Sequence, residues 1–261
     1  MMKKTLLSLS IAGLLAASSA TASVMGGYLG NEAISSAGSV DSTAYTVANN
    51  ADRVLVVALG GEAAGSNTFS GATVTWGTQS LSLVDSEFDT NYLPGTALFF
   101  LAAPDTGNLT LTVDAGSDGI SGGYSVGVYS LWNAEQSAPT IFGSTYVSDN
   151  GSNVIDLGTV DADGAAISVM ADRQSTATGM TFNGNAADYF DDTFSKANAG
   201  GGSIIGTTAG NLTMTGLLTS PDADDTTAQT AVYIAAIPEP STFALVGLAF
   251  GAVVLFRRRK S

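Results

Sequence analysis

The chain has 261 residues, 45% hydrophobic and 12% charged, with no Cys, no His and a net charge of -14. That composition excludes disulfides, thiol nucleophiles, Ser-His triads and the common zinc, iron and copper ligand sets; no cofactor is expected. So acidic a chain lacks the clustered basic face that nucleic acid requires.

The chain opens with a leader. Lys3 and Lys4 supply a positive start, Leu6 to Ala17 an apolar stretch, and Ala20-Thr21-Ala22 a small-x-small cleavage pattern. This order predicts a secretory signal peptide over residues 1–22, cut by signal peptidase between Ala22 and Ser23.

Residues 23–236 are expected to form one acidic ectodomain. Three basic residues, Arg53, Arg173 and Lys196, face 22 acidic ones there, a net of -19. Such a surface is soluble, self-repelling and attractive to cations. Periodicity is strand-like almost throughout. Leu109 to Val113, Tyr124 to Val128 and Leu212 to Thr215 alternate, which predicts one face in a core and one in water. Val54 to Leu59 and Ala97 to Leu101 are unbroken apolar runs, expected where both faces of a strand are covered. Turn formers separate them at Gly60-Gly61, Asp105 to Asn108, Asp118-Gly119, Asn150-Gly151 and Asp163-Gly164. The nearest approach to helix is Asn185 to Lys196, where Asp191 and Asp192 suit the start of a helical turn. Gly200-Gly201-Gly202-Ser203 lacks the Lys-Ser/Thr of a phosphate loop and reads as a flexible connection. About twelve short strands predict an all-β antiparallel sandwich of jelly-roll or Greek-key type, with a β-helix as the alternative; no fixed repeat period is visible. Arg53 to Gly60, Val74 to Leu83 with a hairpin at Gly77, and Ala103 to Gly107 together resemble a recurring β-sandwich module of bacterial surface proteins.

Three chemistries compete with a plain structural domain. Glycoside hydrolysis needs two carboxyls at fixed separation, and Asp85, Glu87 and Asp89, or Asp188, Asp191 and Asp192, are the available clusters. Calcium would need alternating oxygens, as in Asp161-Ala162-Asp163-Gly164 or Asp222, Asp224 and Asp225. The first reads more simply as a hairpin turn before the strand Ala165 to Met170. Sugar binding would need exposed aromatics from Trp76, Tyr92, Trp132, Tyr146 and Tyr189, with Tyr92 the best placed and both tryptophans in core-like positions. A Ser-Lys dyad fails because Ser195 and Lys196 are adjacent and would point to opposite faces of a strand. No catalytic, metal or cofactor residue is assigned.

The C-terminal segment 237–261 has three parts. Pro238-Glu239-Pro240 and Ser241-Thr242 precede the apolar run 243–256, and Arg257 to Lys260 close it. Fourteen helical residues cover about 21 Å, short of a bilayer core of about 30 Å. The terminal cations should stay cytoplasmic, leaving the ectodomain outside. This arrangement resembles the PEP-CTERM sorting signal of bacterial exported proteins. The resemblance implies recognition by a membrane exosortase, brief residence in the inner membrane through residues 243–256, and processing near Pro238, Glu239 and Pro240. It also implies a final place at the cell surface or outside the cell, in association with exopolysaccharide or biofilm. The expectation is therefore a non-catalytic structural or adhesive protein. A lectin-like, calcium-dependent module binding surface polysaccharide is the first alternative, and a glycoside hydrolase the second.

Overall fold

The computed structural model describes residues 22–34, 40–63, 69–88, 94–115, 120–147, 151–173, 177–192, 197–219 and 226–237. The leader residues 1–21, Pro238, Glu239, Pro240 and the run 243–256 lie outside them. Ser23–Ala236 is one compact unit. Among the described residues the only helix is a single 3-10 turn, Phe69–Gly71, and none is long and apolar enough to cross a membrane.

The first nine strands are β1 (Met25–Ile34), β2 (Val40–Val47), β3 (Val54–Ala63), β4 (Thr73–Trp76), β5 (Gln79–Ser80), β6 (Ser82–Phe88), β7 (Pro94–Ala102), β8 (Gly107–Asp114) and β9 (Ile120–Trp132). They form a five-stranded sheet, β1-β9-β3-β7-β6, and a four-stranded sheet, β2-β8-β4-β5. The next nine are β10 (Ile141–Val147), β11 (Ser152–Val160), β12 (Ala165–Asp172), β13 (Gly179–Phe182), β14 (Asn185–Ala186), β15 (Tyr189–Asp191), β16 (Asn198–Ile205), β17 (Gly210–Thr219) and β18 (Thr227–Ile234). Their sheets run β10-β18-β12-β16-β15 and β11-β17-β13-β14.

Adding nine to each strand number of the first pair of sheets gives the second pair. Each half is a jelly roll, in which first and last strands pair in one sheet and second and penultimate in the other. All pairings are antiparallel. The repeat extends to the backbone. Left-handed residues at Asp52, Gly77, Ala103 and Gly107 recur at Asp163, Asn183, Gly206 and Gly210. One stretch of sequence repeats with them, Gly107-Asn108-Leu109-Thr110-Leu111-Thr112 against Gly210-Asn211-Leu212-Thr213-Met214-Thr215.

Three apolar layers hold the four sheets. Leu55, Val57, Phe99 and Val128 of the first five-stranded sheet pack on Val74, Trp76, Leu111 and Val113 of its four-stranded partner. Ala166, Ala231 and Tyr233 pack on Ile155, Leu157 and Met214 in the second half, and Met170 on Met180, Phe182 and Leu218. The middle layer joins the halves. Val54, Val56, Leu98, Phe100 and Leu131 meet Ala165, Ile167, Val169, Val232 and Ile234. Both five-stranded sheets are thus covered on both faces, so Val54 to Leu59 and Ala97 to Phe100 are apolar without interruption and buried.

The all-β antiparallel sandwich expected from the sequence is what forms, but several local expectations are corrected. The described residues form eighteen strands rather than about twelve. Ser125 and Gly127 face the second half instead of water, so the Tyr124 to Val128 stretch is buried throughout. Gly60-Gly61 does not turn the chain; it lies inside β3, where a Cβ on Gly60 would come 3.1 Å from both Val169 and Ala199. Asn185 to Asp191 forms β14 and β15, not helix, because β15 is held at the edge of a sheet by β16. Asp163-Gly164 closes no hairpin, since it carries the chain from β11 in one sheet to β12 in another.

The glycine run 200–202 is a buried strand in β16 rather than a flexible loop. Side chains from both directions occupy the space a Cβ would need. On Gly201 it would lie 2.5 Å from the Tyr189 ring and 2.7 Å from the Tyr129 hydroxyl; on Gly202 it would lie 2.5 Å from Phe182. Gly201→Ala should therefore lower stability by about 1–3 kcal/mol through overpacking, read in a thermal melt. An unchanged melting temperature would contradict this packing.

Candidate functional site

At one edge of the central layer, β1 of the first half meets β15 of the second, and polar residues gather there. Tyr28 stacks on Tyr189 with ring centroids 5.7 Å apart and planes 13° from parallel, and its ring also lies 5.7 Å from Tyr129. The Tyr28 hydroxyl donates to Asn31 Oδ1. Asn31 Nδ2 in turn donates to both oxygens of Asp191, each at 3.1 Å, and Ser125 Oγ donates to Asp191 Oδ2. Ser203 Oγ donates to Asp188 Oδ2 at 2.7 Å. Asn31 and Ser125 belong to the first half, and Asp191 to the second, so this cluster is a polar clasp across the seam.

Electrostatics here follow from burial and charge. Desolvation first, and then the charges of Asp191 and Asp188, push the Tyr28 phenol up to about 12. Burial, the neighbouring Tyr189 and Asp188 raise Tyr129; burial and Asp191 raise Tyr189. A phenolate is disfavoured wherever water is withdrawn and carboxylates stand close.

Of the sequence candidates, the structure brings together Asp188, Asp191 and Tyr189, whereas Asp192 is exposed just beyond β15. Tyr28, Asn31, Ser125, Tyr129 and Ser203 were not anticipated. Their one sequence signal is Gly127 and Gly201, small residues that leave room for Tyr189 between two strands. Asp85 and Glu87 lie on β6, where Asp85 Oδ1 accepts from the Ser86 N–H at 2.9 Å and Glu87 Oε1 from the Phe88 N–H at 3.0 Å. Asp89, Asp222, Asp224, Asp225, Tyr92, Ser195 and Lys196 lie outside the described residues. Among the described residues no three acidic side chains gather to hold a metal ion.

The remaining aromatics are dispersed. Trp76 is fully buried in the core of the first half and donates its indole N–H to the Asp105 carbonyl at 2.8 Å. Trp132 covers Gly26 at the end of β9, and Tyr146 is half-buried on β10.

The two ends of Ser23–Ala236 meet on one side of this unit. Asn133 Nδ2 donates to the Ser23 carbonyl at 3.2 Å, and Ala134 bridges to Ala236. The Glu135 N–H donates to the Ala235 carbonyl at 2.9 Å. Beside them is a cleft of about 190 Å³ lined by Glu135, Pro139, Ile141, Asp161 and Tyr233. The Tyr233 hydroxyl donates to the Asp161 carbonyl at 2.9 Å, and burial raises its pKa.

The segment after Ala236 decides the route the protein takes. Residues 236–260 match the family of the PEP-CTERM protein-sorting motif. The chain carries a PEP-CTERM sorting signal. It is accordingly an exported protein, sorted by exosortase and secreted through processing at the membrane. No curated protein matches the chain. The matched segment starts at Ala236, the residue that bridges to Ala134.

The clasp makes an alkaline prediction for this PEP-CTERM protein. Groups whose folded pKa is raised stabilise the fold fully below the unfolded value, here 10.0, and cease to do so as pH climbs through the folded one. Stability should fall from about pH 10 upward, and tyrosinate absorbance of the native protein should show Tyr28, Tyr129 and Tyr189 still protonated above pH 10. Titration of every tyrosine near 10 in the native state would contradict the clasp.

Proposed function

We propose that the mature domain is a non-catalytic structural or adhesive element of the cell surface or extracellular matrix, released there by exosortase and working with exopolysaccharide or biofilm polymer. The observation that carries this reading is the engagement of chemistry-bearing side chains in holding the fold. Both oxygens of Asp191 and one of Asp188 accept from neighbours, and Asp85 and Glu87 bond to adjacent backbone. Four stacked sheets with an acidic coat suit a stiff, soluble spacer that resists collapse onto like-charged neighbours. In this reading residues 243–256 hold the precursor briefly in the inner membrane before the tail is removed.

A lectin-like role has one specific observation in its favour. On the outer face of β2-β8-β4-β5, Ser42, Thr112, Thr75 and Ser80 align in one row across the four strands. That hydroxyl row offers donors and acceptors to a sugar chain lying across the sheet.

Two experiments separate these readings. Incubated with extracellular polysaccharides, the mature domain should leave polymer length unchanged; shortening that a single Asp188→Asn or Asp191→Asn change abolishes would contradict a non-catalytic role. Saturable binding lost in a Thr75→Val, Thr112→Val variant would favour the lectin-like reading. For delivery, replacing Pro238, Glu239 and Pro240 with alanine should leave tail-bearing protein in the membrane fraction while the native protein appears outside without its tail. Identical fractionation of the two would count against sorting through this motif.

A further inference from the structure

The residue that becomes the N-terminus on leader removal is already seated. Ser23 Oγ donates to Asp163 Oδ1 at 2.8 Å, and the N–H of the next residue, Val24, donates to the Asp163 carbonyl at 2.7 Å. Asn133 holds the Ser23 carbonyl, and the Val24 side chain is only 1% exposed. Asp163 itself is fixed in a left-handed turn with φ 67°, its N–H donating to the Thr207 carbonyl at 2.7 Å. Ser23 lies just before β1 of the first jelly roll, and Asp163 leads into β12 of the second.

We infer that the amine released at Ser23 is a structural cation, which pairs with the Asp163 carboxylate and locks the start of the first half onto the second once the leader is gone. The inference rests on the export reading and on cleavage between Ala22 and Ser23. Hydrolysis of that peptide bond consumes one water, leaves a carboxylate on Ala22 and an amine on Ser23, and the amine takes up a proton at neutral pH. In the precursor the same nitrogen is a neutral amide. The Ser23 nitrogen and hydroxyl sit on adjacent carbons, so a carboxylate bonded to the hydroxyl is within reach of the ammonium. The surroundings favour positive charge. Asp161 stands two residues before Asp163 in the same turn, Glu135 comes next after the neighbouring Ala134, and the Tyr233 phenol feels both Asp161 and Asp163. Asn133, from the segment after β9, is neutral. The guanidinium of Arg53 is committed to the Pro104 and Asn50 carbonyls. Leader removal thus does two things at this spot: it frees the chain end and supplies the charge that pins it.

The test uses the secreted mature protein, an Asp163→Asn variant, and a form extended by Ala22. Asn tolerates the left-handed turn and still accepts from the Ser23 hydroxyl, so this variant removes the charge while keeping that contact. Nuclear magnetic resonance titration of the Ser23 amine should give a pKa above the ordinary value of about 7.7–8.0, returning to it in Asp163→Asn. A raised pKa stabilises below the ordinary value and stops doing so as pH rises through the raised one. At pH 7 the mature form should melt about 1–3 °C above the extended one, with the gap closing in mildly alkaline buffer. An amine titrating at its ordinary value in both wild type and Asp163→Asn would overturn the ion pair. A mass-determined N-terminus other than Ser23 would instead overturn the cleavage reading on which it rests.

Discussion

Two β-sheets that each bury a second face are unstable unless something apolar covers that face, and here each covers the other. The aliphatic side chains of β3, β7 and β9 lie against those of β12 and β18, with Val56, Leu98 and Leu131 opposite Ile167, Val169 and Val232. Burial of apolar area at roughly 25 cal/mol per Å² makes this middle layer the dominant attraction between the halves. Either jelly roll alone would expose that surface to water. The remaining architecture derives from keeping this contact flat and close. Glycines at positions 60, 127 and 201 let backbones and rings approach, and Thr96 and Thr230 meet by their hydroxyls at 2.7 Å within it.

The polar clasp and the seated chain start lie on the same seam and supplement it. Hydrogen bonds from Asn31 and Ser125 to Asp191 fix how one sheet sits over the other, which nondirectional apolar contact alone does not specify. The cost appears as tyrosines that resist ionisation, since their hydroxyls share a drained space with two carboxylates. Meanwhile Ser23 and Ala236 come together at one side of the folded unit, through Asn133 and Ala134.

Much of this was legible in the sequence. Alternation at Leu109 to Val113 and Leu212 to Thr215 stands where periodicity put it, and the hairpin at Gly77 where the module resemblance put it. Unbroken apolar runs at Val54 and Ala97 correctly announced strands covered on both sides. What was illegible depended on contacts distant in the chain. Ser125 and Gly127 look like solvent-facing positions because nothing nearby in sequence shows a second sheet arriving over them. Gly200 to Gly202 looks like a loop because strand propensity ignores the rings of Tyr189 and Phe182 that need the space. Likewise Asp163-Gly164 has hairpin chemistry, yet the strands it joins belong to different sheets. The duplication leaves only the short Gly-Asn-Leu-Thr match as a trace in the sequence, since jelly-roll topology constrains spacing far more than identity. The sorting tail needed no fold at all: its order of motif, apolar run and cations is local.

The middle layer makes the two jelly rolls one body. Differential scanning calorimetry of the mature protein tests this most directly, because halves joined by a large apolar contact cannot melt separately. One transition, with calorimetric and van't Hoff enthalpies equal, is predicted. Two resolved transitions, each with about half the total enthalpy, would show the halves to be independent and would contradict it.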